Sequence, residues 1–386
     1  MATSSPSRHD APGRPFYDYV IVGAGMFGAT FARLATDAGH RCLVLDRRPH
    51  IAGNCYTETV EGITVHRYGA HIFHTSDEWI WSFVNRYVRF NNFVNAPMAL
   101  AGGRLYSLPF SMLTFNQLWG VTRPDEAMAI IERQRLKLDR EPANLEEQAL
   151  SLVGTDIYRL LIEGYTRKQW MRDPRDLPAW IIKRLPLRFT FNNNYFADRY
   201  QGIPDGGYTA LFERLLDGVE VRLGTDFFGD RDGFAALGRT LVFTGRIDEY
   251  FGYRHGELEY RTLRFDTRVL DTANFQGNAV VNHCDAAVPS TRTIEHKHFA
   301  FGQQPVTVVT DEFPETWTRD ATPYYPINDP ENTRRFRLYE AQGRATEGVI
   351  FGGRLAEYRY YDMHQVIGSA RIAFERHSRA DGGFDL

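Results

Sequence analysis

The stretch Tyr19-Val20-Ile21-Val22-Gly23-Ala24-Gly25-Met26-Phe27-Gly28 constrains this chain more than any other. A short apolar run rich in branched residues suits a strand buried on both faces. Gly23, Gly25 and Gly28 then follow at the spacing of a dinucleotide-binding turn. The first permits a tight turn, the second lets backbone approach a pyrophosphate, and the third lets a helix pack closely on the sheet. The amides opening that helix would face a diphosphate, where the helix dipole favours negative charge. The helix runs through Ala32, Leu34 and Ala35 and ends at Gly39, and Arg41 to Leu45 reads as a second parallel strand. Asp46, at its tip, offers a carboxylate to ribose hydroxyls. A glycine triplet alone is weak, and an ordinary glycine-rich turn is the plain alternative. Strand, glycines, helix, strand and acid in this order select the dinucleotide reading.

The next loop, Arg47-Arg48-Pro49-His50-Ile51-Ala52-Gly53-Asn54, bears on which dinucleotide. An enzyme that releases NAD at every turnover has no need of an extra loop folded over the diphosphate. A permanently held FAD, with its longer body, is served by one, so FAD is favoured.

The chain of 386 residues is long enough for two or three domains. At 43% hydrophobic and 24% charged it is globular rather than disordered. A formal net charge of −3 provides no basic field for nucleic acid, so any anion must be held by placed arginines. Cys42, Cys55 and Cys284 show neither a CxxC pair nor zinc spacing, which suits a reducing cytoplasm and no metal. No stretch approaches the ~20 apolar residues of a membrane span. Residues 1–16, rich in Ser, Pro and Arg, are expected to be a disordered tail rather than a signal peptide or anchor.

Further along, Thr57 to Val65 alternates like a short β segment, and Tyr68 to His74 forms a loop with two histidines. Thr75 and Glu78 have the spacing of a capping box for a helix through Trp79, Ile80, Phe83, Val84 and Tyr87. Phe93 to Leu100 and Arg104 to Leu108 flank Gly102-Gly103 as a hairpin. From Ser111 to Gly164 the pattern turns helical, with Pro124 at one helix start and Met128, Ile131, Leu136 and Leu138 as an apolar side. Asn144 is placed to cap the next helix, and another is expected over Asp156 to Glu163. Trp170 to Pro186 carries three prolines, four cations and anchoring aromatics, the composition of a lid. A helix over Tyr208 to Leu216 and strands at Val219 to Leu223 and Leu241 to Thr244 return to the parallel sheet. Short β-branched segments between Tyr260 and Val309 predict an antiparallel sheet, followed by a helix over Pro330 to Gln342. Val349 to Arg354 is again strand then glycine, and Asp362 can cap the last helix.

The expected fold is therefore α/β: a Rossmann-like FAD-binding domain, an inserted helical domain and an antiparallel β-sheet domain. Residues 17–90, 204–246 and 339–386 form the first and residues 109–188 the second, with a mobile loop at 170–186. Residues 91–108, 189–203 and 247–338 form the third.

Tyrosines and cations recur in four stretches: Gly164 to Trp170, Asn192 to Phe196, Pro323 to Pro326 and Tyr358 to Met363. Any one of them alone reads as a solvated helix end or loop. Together they offer hydroxyls for sugar and phosphate oxygens and flat faces for rings, as in a cleft for a nucleotide sugar. At this point the chain resembles bacterial UDP-galactopyranose mutases. The match runs through Val22 to Gly25, Tyr68 to Thr75, Gly164 to Trp170, Leu177 to Ala179, Lys183 to Pro186, Phe275 to Gly277, Thr291-Arg292, Tyr324 to Ile327 and Gly353 to Met363. One departure is Ala70, where the family has proline.

The resemblance implies a non-redox flavoenzyme, an isomerase that interconverts UDP-galactopyranose and UDP-galactofuranose to supply cell-surface glycans. It implies that N5 of reduced FAD attacks the anomeric carbon, UDP leaves, and a flavin–sugar iminium opens and recloses as the furanose. An external reductant such as NAD(P)H or dithionite keeps the flavin reduced. Arg184 on the loop and Arg292 on the sheet are implied as the diphosphate cations, a role suited to the guanidinium fork; surface salt bridging is the bland alternative. Trp170 resembles the residue stacking on uracil, with Tyr165 and Thr166 beside it. Tyr195, Tyr325 and Tyr360 resemble phosphate-contacting hydroxyls. Phe196, Asn95 and Asn282 are placed along the sugar and flavin. His74 is implied near the flavin ring as a third catalytic candidate, with His71 as its neighbour. Remaining cofactor contacts are implied at Met26, Phe27, Arg47, Gly53, Asn54, His71, Ile72, Val221, Thr244, Gly245, Arg354, Tyr360, Asp362 and Met363. A cytoplasmic homodimer joined through the helical insert is also implied, with larger assemblies left open. Two other classes remain at this level. One is a flavin amine oxidase or desaturase, which would bleach its flavin with substrate. The other is a non-catalytic flavin or nucleotide binder.

Overall fold

The structure, a computed structural model, describes residues 16–182 and 187–380. The expected tail, apart from Phe16, lies outside the described residues, as do Lys183, Arg184, Leu185 and Pro186. Five parallel strands form the first sheet, in the order Val349–Phe351, Gly238–Phe243, Tyr17–Val22, Cys42–Leu45 and Glu220–Arg222. Alternate side chains of its central strands enter two cores. Ile21, Val44 and Val242 pack with the helices Met26–Asp37, Tyr208–Leu215 and Met363–Ala380. Val20, Leu43, Leu241 and Phe243 pack on the other side with Tyr250, Leu258, Tyr260 and Tyr339. Burial on both faces is why these strands are continuously apolar. The helix Pro330–Arg344, which carries Tyr339, straddles the expected boundary at 338–339 and belongs to this second core.

The helix after the first strand lies so close to the sheet that a Cβ on Gly28 would collide with the carbonyl oxygen of Gly23. The third glycine of the motif is thus a packing requirement, in agreement with the sequence.

Seven strands form the second sheet, in the order Tyr325–Pro326, Tyr260–Leu270, Thr307–Glu315, Arg292–Glu295, Val280–His283, Met98–Ala101 and Arg104–Ser107. It is mixed rather than antiparallel throughout, because Val280–His283 runs parallel to Met98–Ala101. The hairpin between residues 98 and 107 is added from an earlier part of the chain, and its first strand takes up that edge. Periodicity within either strand carries no information on this pairing.

The helical insert comprises Met112–Trp119, Pro124–Gln134, Leu145–Val153 and a continuous rod from Thr155 to Trp170 with a π-helical stretch, Tyr158–Glu163. Pro124 is the first helical residue, and Asn144 caps the third helix by accepting from the Glu147 N–H at 3.0 Å. Two local expectations fail. The helix Glu78–Asn85 is capped by Asp77, which accepts from the Ile80 N–H, because Thr75 is committed to the strand Phe73–Thr75. Leu136 and Leu138 lie beyond the second insert helix, which ends at Gln134 where Arg135 turns extended. Of the expected apolar side only Ile131 is fully buried, while Met128 is exposed. The described part of the 170–186 loop is anchored to the insert. It forms two 3-10 turns, Pro174–Asp176 and Ala179–Ile182, with Leu177 buried and its carbonyl accepting from the Leu145 N–H.

Candidate functional site

Above the carboxyl ends of the parallel strands lies a cavity that gathers most of the predicted cofactor residues. Gly23, Gly25, Met26, Phe27, Asp46, Arg47, Gly53, Asn54, His71, Thr244, Gly245, Arg354 and Met363 line it. Gly25 begins the helix Met26–Asp37 with no side-chain cap, so its first N–H groups are left for a ligand. The Asp46 carboxylate accepts from the Ala24 N–H at 2.8 Å and from the Arg48 N–H at 2.9 Å, one on each oxygen. A carboxylate has about four lone-pair sites, so both oxygens keep capacity for hydroxyl donors. Arg48 also lines the cavity: its Nη2 donates to Asn54 at 2.9 Å, while its buried Nη1 has no partner. A buried guanidinium nitrogen without an acceptor, beside free helix amides, fits a diphosphate. Arg48 was not named among the contact residues, although it stands next to Arg47 in the same basic loop.

His71 presents a defined face to this cavity. Its Nδ1 donates to the Gly69 carbonyl at 2.8 Å, leaving Nε2 as an acceptor. Burial pushes its pKa down to about 4, against the Gly69 hydrogen bond and with help from Arg354, so the ring is neutral at physiological pH. Behind it the His71 N–H donates to His66 Nδ1, and the His66 N–H donates to His296 Nδ1. Burial likewise holds His66 well below its ordinary value and His296 at about 3.

Five predicted cofactor residues stand off the cavity wall. Gly28 lies beneath it. Ile72 packs in a separate apolar cluster with Phe93, Ile203 and Phe299. Val221 is mid-strand opposite Val44, and the wall on that side is made by Thr225, Asp226, Phe227 and Phe228. Tyr360 and Asp362 face the neighbouring cleft.

That cleft is built across the second sheet. Asn282, Arg292 and Glu312 are direct cross-strand partners, so their side chains share one face. Arg292 Nη2 donates to the Tyr165 hydroxyl at 3.3 Å, and its Nε lies 3.3 Å from Glu312 but makes no hydrogen bond. Burial disfavours the Arg292 charge, yet Glu312 and the oxygens of Tyr165, Tyr325 and Tyr360 outweigh it and hold the guanidinium above its ordinary value. Burial pushes Tyr165 up to about 12 and Tyr325 upward too, so these phenols remain O–H donors beside the exposed Tyr360. The Asn282 Oδ1 is buried without a partner. Tyr325 and Tyr360 stack at 5.1 Å, and the Arg354 guanidinium lies 5.4 and 5.7 Å from their ring centres. Arg354 thus joins cleft to cavity.

Tyr165 reaches Arg292 because its helix is pressed against the sheet. A Cβ on Gly164 would strike the Cys284 carbonyl oxygen, and Lys168 Nζ is tied to the His283 and Ser290 carbonyls at 2.6 and 3.0 Å. Thr166 is buried in the same helix. Trp170 ends it, with the Arg261 guanidinium 4.9 Å over its ring. Arg261 is the cross-strand partner of Tyr325, so an aromatic and cationic wall runs from Trp170 to the tyrosine stack. Burial and Arg172 lower Arg261 to about 10.

On the opposite side, the Tyr195 N–H donates to the Asn95 carbonyl at 2.7 Å, and Tyr195 itself is exposed. Phe196 stacks on His74 at 3.7 Å. His74 Nδ1 is 2.7 Å from Asp198, and its Nε2 is 4.0 Å from Asp362. Asp198, Glu312 and Arg261 were not singled out from sequence. A carboxylate amid the alternating β-branched residues of Thr307–Glu315 was a usable signal for Glu312; the other two carry none. Arg184 lies outside the described residues. The arrangement can hold a dinucleotide in the cavity and an anion with sugar-like hydroxyls in the cleft beside it.

A family model described as UDP-galactopyranose mutase matches residues 160–360, and one for an NAD(P)-binding Rossmann-like domain matches residues 21–87. The chain is 39% identical over 362 residues to the dTDP-fucopyranose mutase of Escherichia coli, covering 91% of this chain and 96% of that one. It is 37% identical over 358 residues to the probable UDP-galactopyranose mutase of Klebsiella pneumoniae, covering 91% and 92%. The fold is similar to that in a crystal structure of reduced UDP-galactopyranose mutase, with a TM-score of 0.73 at 13% identity over 94% of this chain and 96% of that one.

Proposed function

This chain belongs to the UDP-galactopyranose mutase family, and from that premise we propose that it interconverts UDP-galactopyranose and UDP-galactofuranose with a tightly held, reduced FAD. The observation that carries the reading is Arg292: a partly buried guanidinium whose buried Nε has no hydrogen-bond partner, ringed by three protonated tyrosines and joined through Arg354 to the dinucleotide cavity. FAD would be held by the helix amides at Gly25, Met26 and Phe27 and by Arg48 at its diphosphate, by Asp46 at its ribose, and by the neutral His71 acceptor. When bound and reduced it supplies an electron-rich nitrogen able to attack the anomeric carbon.

The protein's own residues do the rest. Arg292, with Tyr165, Tyr325 and Tyr360 as donors, retains the diphosphate that leaves and must return. Contacts that tighten as charge develops on the leaving oxygen lower the barrier more than they tighten binding. Arg184 joins them from the loop, Trp170 receives the base, and Tyr195, Phe196, Asn95 and the unpartnered Asn282 border the sugar. The division into three domains, with a loop at 170–186 that closes over the nucleotide, belongs to the same reading. So do a homodimer through the helical insert and a cytoplasmic location supplying galactofuranose for surface glycans. Three free cysteines are in keeping with that compartment, and no helix among the described residues is long and apolar enough to cross a membrane.

The relative at 39% identity favours a second reading of the same chemistry, with dTDP-fucopyranose as substrate. One experiment separates these readings. Purified protein is incubated with each sugar nucleotide, with and without dithionite, and the products are resolved by chromatography. Furanose from UDP-galactose only with reduced flavin supports the proposal. A higher kcat/KM for dTDP-fucose transfers it to the second substrate, and equal turnover by oxidised protein removes the nucleophilic flavin.

A further inference from the structure

His74 is held on several sides. Phe196 covers one face of the ring at 3.7 Å, and His364 meets it edge-on at 5.0 Å. Asp198 takes Nδ1 at 2.7 Å, and Asp362 lies 4.0 Å from Nε2, beyond hydrogen-bond reach. The loop that supplies Phe196 also supplies Asp198, and it is fixed by the pairing of Phe73–Thr75 with Tyr200–Gly202. Asp198 has its own support: Ser76 Oγ donates to its second oxygen at 3.0 Å, and the Arg199 N–H donates to that Oγ at 3.3 Å. Burial pushes the Asp198 carboxyl up, but the hydrogen bonds from His74 and Ser76 and the nearby imidazoles outweigh it, so it is an ionised acceptor at neutral pH.

A carboxylate can only accept, so a ring hydrogen of His74 sits on Nδ1, and in the form that carries one ring hydrogen Nε2 is an acceptor. Nε2 lies on the side of Asp362, whose neighbour Met363 is on the cavity wall. We propose that Asp198 is a positioning residue that locks His74 in the Nδ1–H form, so that Nε2 serves as the proton acceptor for the sugar during ring closure. The proposal rests on the mutase reading. Exchanging a pyranose for a furanose removes a proton from one sugar hydroxyl and places one on the former ring oxygen, with no net change. The former ring oxygen takes its proton from solvent as the ring opens, and the hydroxyl that closes the new ring gives its proton to Nε2. Asp198 balances the imidazolium, and the imidazolium returns that proton to solvent before the next turnover. Asp198 touches neither substrate nor cofactor; it acts through His74.

The test uses the FAD-loaded, dithionite-reduced protein with UDP-galactofuranose. Asp198→Asn should lower kcat about a hundredfold, the lower end of what a positioned acid–base group contributes. KM and flavin content should stay within about twofold, a split that a general loosening of the fold would not give. Independently, 15N NMR of histidine-labelled wild-type holoenzyme should show His74 with its proton on Nδ1, with His74→Gln to assign the signal. Wild-type kcat in Asp198→Asn, or an Nε2–H resonance for wild-type His74, overturns the proposal. The NMR measurement decides even where the variant fails to fold. A wild-type protein without mutase activity would refute the functional reading instead, and the tautomer would still be read.

Discussion

The dinucleotide cavity and the substrate cleft adjoin through Arg354 but are made in different ways. The cavity is organised around local backbone features: a glycine turn, an uncapped helix start and strand tips. The cleft is mostly side chains, brought from the helical insert, the second sheet and the loop before the last helix. Tyr165 and Arg292, which share a hydrogen bond, are 127 residues apart. Backbone sites depend on local conformation and tolerate little change of shape. Side-chain sites depend on packing between layers and lose function one group at a time.

The largest expected effect falls on the cleft alone. Arg292→Ala leaves Glu312 and the tyrosines around an empty position. Losing one partner of a desolvated charge pair costs on the order of 2–5 kcal/mol, about thirty- to several-thousand-fold. We expect that loss in turnover, with FAD retained in full by its absorbance. Release of FAD by Arg292→Ala would break the separation between the two regions.

Gly28→Ala tests the other side. The added methyl meets backbone that cannot move aside, at a cost of about 1–3 kcal/mol for overpacking. Thermal stability and FAD content should fall together, while turnover per bound flavin stays normal. A reduced rate per flavin would mean that the glycine turn also shapes the cleft.

A smaller effect sharpens the comparison within the cleft. Stacking on an aromatic face contributes roughly 1–3 kcal/mol per base, so Trp170→Ala should weaken UDP binding by about tenfold in a titration without altering the flavin spectrum. Unchanged affinity would place the base elsewhere along the wall between Arg261 and Tyr325.

The most gradual effect concerns acid. His71 stays neutral down to about 4 in the fold, against an ordinary value of 6.5. Below that ordinary value the unfolded chain takes up a proton that the folded chain refuses, so stability falls as pH drops from about 6.5 toward 4. His66 and His296 add in the same direction. Melting temperature measured from pH 7 to 4.5 should decline through this window, and His71→Gln should make the slope shallower. A flat profile would mean that these rings are not buried as neutral groups.

Sequence alone determined the strand, glycine turn, helix and acid of the dinucleotide motif. Each of these is a local matter: φ freedom, helix-end amides and the two-residue and 3.6-residue periods act over neighbouring residues. For the same reason Pro124 and Asn144 were legible as helix starts. Thr75 failed as a cap because its pairing with a strand at residue 200 took precedence. The resemblance named the cleft residues by motif, but their meeting is a tertiary fact. Only cross-strand register puts Asn282, Arg292 and Glu312 on one face, and only the close approach at Gly164 lets Tyr165 reach them. The tertiary structure alone decided that Asp198 meets His74 and that Arg261 covers Trp170, because distance along the chain carries no record of which side chains packing will bring into contact.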